Sequence, residues 1–146
     1  MKFLTGVVFA IVMAFASQAK AHTSIGAVGT YPELGGVYVS YFPQREFSVD
    51  GWLTLSTVDA GVSGHIPVSS DINGTHAIVL TGLFGYSHDL LPVFDYRSFH
   101  AVGAAGYGYL SSGGWDTRIQ AGVTTAAQPH GLSTGFHGHL MVGHTL

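Results

Sequence analysis

The chain has 146 residues, 21 of them glycine, no cysteine, and a formal net charge of −3. Five basic residues against eight acidic ones leave no cationic patch for phosphates, which excludes a nucleic-acid-binding protein. With no disulfide to staple it, a small exported domain must draw its stability from elsewhere.

The N-terminus carries the marks of export. Lys2 supplies a positive start, Phe3 to Ala16 form a nearly unbroken apolar run of 14 residues, and Ala19-Lys20-Ala21 offers small residues at the −3 and −1 positions of a cleavage site. A membrane-spanning helix needs about 20 apolar residues, so the run is too short for an anchor. The expected organisation is a signal peptide over 1–21 and one domain over 22–146.

Beyond residue 21 the only basic residues are Arg45, Arg97 and Arg118, giving 11 charged side chains in 125 residues. A soluble domain typically carries about a quarter. Such a chain has too little charge to cover itself, and its outside is expected to face something other than water. No later segment approaches 18 consecutive apolar residues, so any membrane crossing must be made by strands. Strands in hydrocarbon must close into a barrel, because an open sheet edge leaves amides unpaired.

Period-two alternation recurs after residue 21 and places strands at about 23–31, 35–42, 46–58, 60–70, 75–87, 95–110, 115–126 and 132–146. In the third, Phe47, Val49, Leu53 and Leu55 oppose Ser48, Asp50, Thr54 and Ser56, with Trp52 breaking the pattern. The fourth sets Val62, Ile66 and Val68 against Ser63, His65 and Ser69. The sixth turns Phe99, Ala101, Ala105, Tyr107 and Tyr109 one way and Ser98, His100, Gly106 and Gly108 the other. The seventh is the clearest, with Trp115, Thr117, Ile119, Ala121 and Val123 opposite Asp116, Arg118, Gln120, Gly122 and Thr124. The eighth alternates Leu132, Phe136, Leu140, Val142 and Leu146 with Ser133, Gly135, His137, His139 and Thr145. Alternation alone fits a soluble sandwich with the apolar face inside or a membrane barrel with it outside. The charge deficit selects the barrel: eight antiparallel strands in up-and-down order, closed and transmembrane.

Pro43-Gln44-Arg45-Glu46, Asp71-Ile72-Asn73-Gly74 and Ser111-Ser112-Gly113-Gly114 read as compact turns at one end, with Asn73-Gly74 suiting a type I′ hairpin. The longest connection, Ser87 to Phe94, falls at the other end, giving an expected asymmetry of short periplasmic turns and longer outer loops. Tyr31, Tyr41, Phe42, Phe47, Tyr86, Phe94, Tyr96, Tyr107, Tyr109 and Trp115 lie near strand ends and suggest aromatic girdles.

The whole of 22–146 resembles the small eight-stranded bacterial outer-membrane barrels, the OmpX-like and OmpA-transmembrane-like proteins. The resemblance is architectural and implies insertion among outer-membrane lipid and lipopolysaccharide, as a monomer, by an assembly machinery that reads the last strand. Phe136, Leu140, Val142 and Leu146 keep the phase of that strand, although it ends in leucine rather than an aromatic residue.

Eight strands leave a bore that side chains fill, and Trp52, His137, His139 and Met141 are expected to plug it. The expected function is structural, a barrel that presents short surface loops, with Ser87 to Asp95 as the contact region and without a catalytic, cofactor or metal site. His137 and His139 share one face, where imidazoles suit zinc, copper or nickel, but a third ligand such as His65 or Asp50 is needed. His22, if it became the first residue, would add a copper-chelating amine and imidazole. Two alternatives stand beside this reading: a secreted or periplasmic soluble β-sandwich binding module, and a lipid A-modifying enzyme. The latter needs an activated serine, for which Ser87-His88-Asp89 is the only local candidate.

Overall fold

The computed structural model describes residues 21–31, 34–87 and 98–146. The signal segment, save Ala21, and most of the expected contact region, including His88, Asp89 and Phe94, lie outside them, as does the girdle candidate Tyr96. Eight strands follow one another: β1 (His22–Tyr31), β2 (Leu34–Gln44), β3 (Phe47–Thr54), β4 (Thr57–Ser70), β5 (Gly74–Ser87), β6 (Phe99–Ser111), β7 (Trp115–Gln128) and β8 (Gly131–Thr145). Each pairs antiparallel with its chain neighbour, and β8 returns to β1, closing the barrel.

The pairing register fixes the barrel's shape. From Ser24 the partners run through Ser40, Asp50, Gly61, Leu83, Val102, Thr124 and Gly135. The β8–β1 register then returns to β1 at the level of position 34, a stagger of ten residues. For eight strands this stagger gives a tilt of about 40° and a radius of about 8 Å, within the range of closed barrels.

Polarity is inverted relative to a soluble domain. Among the described residues, sixteen buried side chains are polar or charged and only eleven, Pro43 included, are apolar. Ile25, Val37, Leu53, Val62, Ile78, Leu80, Ile119 and Phe136 stand on the outer surface, each about half exposed. Tyr31, Phe84, Tyr86, Phe99 and Phe136 gather outside at the end opposite the termini, where Phe84 and Tyr86 both contact Phe99. His76, Tyr107, Tyr109, Trp115 and His144 gather outside at the terminal end. From Phe99 to Tyr109 along β6 is about 33 Å of strand, or about 25 Å along the barrel axis at that tilt.

Four expectations are corrected. The third strand does not run to 58. Leu55 and Ser56 form a two-residue turn in which Thr54 Oγ1 accepts the amides of Ser56 (3.2 Å) and Thr57 (2.9 Å). A threonine hydroxyl does here what an Asx turn does elsewhere, so no Gly, Pro, Asn or Asp marks the break. The Asn73-Gly74 hairpin is not type I′, because Asn73 lacks the positive φ that turn requires. Asp71 Oδ1 accepts the amides of Asn73 (2.7 Å) and Gly74 (3.0 Å) instead. Phe42 is no girdle residue: it shares the inward face of Tyr38 and Ser40, and its ring lies under the Arg118 guanidinium at 5.1 Å. Finally, the outer connections are not generally longer. Those after β3 and β7 hold two residues each, and only the β5–β6 connection is long.

Leu34 is the only non-glycine residue with positive φ (68°) among the described residues. That conformation crowds a Cβ, so Leu34→Gly should raise the urea midpoint of unfolding, by up to about 1 kcal/mol in stability.

Candidate functional site

The lumen holds three polar clusters, stacked along the barrel. The first is ionic and spans the bore. Arg118 on β7 grips Asp116 through both Nε (3.1 Å) and Nη2 (2.7 Å), and its Nη1 donates to Asp50 Oδ1 on β3 (3.2 Å). Asp50 also accepts from Ser40 Oγ (2.5 Å), Ser48 Oγ (3.1 Å) and Ser63 Oγ. Tyr38 donates to Asp116 (3.3 Å) and pairs with Ser24, while Ser63 pairs with Thr81. Arg118 is 1% exposed and Asp50 2%. Charges this dry are tolerated only when paired and hydrogen-bonded, and the six strands contributing to the cluster meet that condition. At the terminal end the bore widens below it into a funnel of about 1160 Å³, lined in part by His22, Phe42, His65 and Asp116.

The second cluster brings together the two histidines singled out in the sequence. His137 Nε2 and His139 Nδ1 are 3.2 Å apart, with the edge of one ring system against Trp52: the His139 and Trp52 centroids lie 4.6 Å apart, nearly perpendicular. Gln120 is the register partner of His139 on β7. His65 and Asp50 do not join the pair but belong to the ionic cluster, where His65 Nε2 meets Ser48 Oγ at 3.1 Å. Among the described residues no group of three or more His, Asp or Glu side chains is arranged to hold a metal. His22 stacks on Phe42 at 4.4 Å at the funnel. Val28, Leu83, Val102, Ala104 and Met141 join Tyr38 and Trp52 in an apolar plug, so the large side chains expected inside are all there.

The third cluster sits at the mouth opposite the termini. Asp59, Gly85 and His100 are register partners in a row across β4, β5 and β6. A Cβ on Gly85 would collide with the Asp59 carboxylate. Its absence lets Asp59 and His100 meet over the glycine, with Nε2 to Oδ1 at 2.6 Å. Thr57 Oγ1 donates to the other carboxylate oxygen at 2.5 Å. Two residues past Gly85, on the same inward face, Ser87 Oγ lies 3.5 Å from His100 Nδ1. Ser87 was visible in the sequence as a candidate, but the partners facing it are His100 and Asp59. His88 and Asp89 lie outside the described residues.

Comparison with protein-family models, with curated proteins and with solved structures finds no match. What stands established is the architecture, a closed eight-stranded antiparallel barrel.

Proposed function

We infer that the protein is a small integral outer-membrane barrel, exported by a cleaved signal and inserted as a monomer through its C-terminal strand, with a filled bore and a structural role in the outer membrane. The observation that carries this is the inversion of polarity: half-exposed Val, Leu, Ile and Phe outside, an ion-pair network inside. In water such a surface is an association hazard; against acyl chains it is the stable arrangement. The two aromatic groups, about 25 Å apart along the axis, match the height of an outer-membrane apolar band. Closure leaves no edge amides for lipid to meet. The ionic cluster and the apolar plug argue for an anchor rather than a pore.

A soluble module would need its apolar faces packed against each other, whereas these strands close into one barrel rather than two facing sheets. The two tryptophans offer a direct test. Trp115 is 55% exposed on the outside and Trp52 is 3% exposed inside. In vesicles of brominated phosphatidylcholine, the Trp52→Phe variant, reporting Trp115, should be strongly quenched. The Trp115→Phe variant, reporting Trp52, should be quenched far less. Folded protein should also change gel mobility on boiling. Absence of quenching in both variants, with the protein monomeric in plain buffer, would overturn the membrane reading.

A further inference from the structure

We propose that Ser87, His100 and Asp59 form a nucleophilic relay at the barrel mouth, with Ser87 Oγ able to attack the carbonyl of a short carboxylic ester. The proton positions follow from the contacts. A 2.6 Å contact needs a hydrogen between the two atoms, and with Asp59 as a carboxylate, which only accepts, that hydrogen sits on His100 Nε2. In the neutral ring this leaves Nδ1 as the lone-pair nitrogen, and that atom faces the Ser87 hydroxyl at 3.5 Å. Contacts of this kind are commonly long before substrate binds and tighten afterwards. Asp59 is a positioning residue, holding the ring and its tautomer, as the third member of such relays does.

Burial runs in the order a relay needs. Asp59 and His100 are each 5% exposed, while Ser87, at the rim, is only half-buried. The other lumenal serines are built differently. Ser40, Ser48 and Ser63 are buried and donate straight to Asp50, which keeps their oxygens occupied and out of reach. Ser87 faces the bore, on the side of Thr81 and Leu83, with Phe84 and Tyr86 on the outer side. A chain held in the surrounding membrane does not lie against it. The substrate class is therefore a small ester entering from the aqueous mouth, and not a membrane lipid.

The chemistry balances without a cofactor. Ser87 Oγ bonds the acyl carbon as its proton passes to His100 Nδ1 and the carbonyl π pair moves onto oxygen. Collapse expels the alcohol, which takes the proton from His100 and leaves an acyl ester on Ser87. Water then adds to that ester, giving a proton to His100. His100 returns the proton to Ser87 Oγ as the carboxylic acid departs.

The relay exists wherever the barrel is folded, so detergent micelles suffice and the outcome is separate from the membrane question. A fluorophosphonate probe should label the peptide containing Ser87, as read by mass spectrometry. Labelling should vanish in Ser87→Ala and fall about tenfold or more in His100→Gln and Asp59→Asn, as expected when a serine loses its base or the base its orienting group. Boiling-dependent mobility verifies folding of each variant. Ser87→Cys supplies a measure that needs no change at His100 or Asp59: at neutral pH its thiol should react with iodoacetamide about tenfold faster than that of Ser112→Cys in an exposed turn, since an imidazole partner raises the thiolate fraction. No label on Ser87, label that survives His100→Gln in folded protein, or equal thiol rates would each overturn the proposal.

Discussion

Replacing Arg118 with methionine should cost about 3–5 kcal/mol of stability, read as a drop in the urea midpoint for unfolding from detergent or lipid. The reason lies in what remains. Asp116 loses a two-point partner and Asp50 loses the cation that Nη1 brought to it, and both carboxylates stay walled in by the bore. Asp50 keeps three serine hydroxyls, so Asp116, left with the Tyr38 hydroxyl, bears more of the loss. Neutralising both acids in the same background, as Asp50→Asn with Asp116→Asn, should restore most of the stability, because removing a buried charge set whole costs far less than orphaning part of it. Arg118→Lys should fall between, since an ammonium cannot reproduce the paired contact of Nε and Nη2. A cost below about 1 kcal/mol for the methionine variant would show that the cluster is hydrated and not dry, against its burial.

Leu80→Arg carries the second large effect. Leu80 points outward from β5, 50% exposed and close to midway between His76 and Tyr86 at the two aromatic levels. If acyl chains cover it, a guanidinium there should cost about 2–4 kcal/mol, the expected figure for the middle of an apolar band. If water covers it, the change should stay within about 0.5 kcal/mol, as for an ordinary surface site. Leu132→Arg, at the end of the β7–β8 hairpin beyond the band and 78% exposed, is the matched control and should cost at most about 1 kcal/mol in either environment. The difference between the two arginines in vesicles, measured as unfolding free energies, separates the environments directly. Equal costs would remove the bilayer from the account.

Much of the fold was legible because alternation is a local signal. The faces of β7 and β8 stand as the sequence placed them, and Trp52 could be assigned inward because parity along β3 admits no other side. What failed was local chemistry without a compositional flag. The β3–β4 turn is made by a threonine hydroxyl inside a run that keeps its alternation, so nothing in Thr54-Leu55-Ser56-Thr57 announced a reversal. Phe42 lies near a strand end, which suggests a girdle, but its parity with Tyr38 and Ser40 points it inward. The mouth cluster was only one-third visible. Ser87 could be singled out, but Asp59 and His100 are 41 residues apart and meet only through the registers of two hairpins. Once those registers are known, Asp59, Gly85 and His100 form one row, and a bare glycine between an acid and an imidazole is the signal that sequence reading lacked.

The seam between β1 and β8 joins residues 24–31 to residues 138–145, the two extremes of the domain. Every other pairing can zip from a neighbouring hairpin, but this one cannot begin until the last segment has been delivered. Until then the chain is at best a ribbon with two sticky margins and a greasy side, a species prone to clumping in water. Closure of the ring therefore depends on the most distant contact in the polypeptide, the kind whose loop-closure cost makes it slow to form. A partner that covered these two margins until the last strand arrived would remove the hazard, whatever the medium in which the ring finally closes.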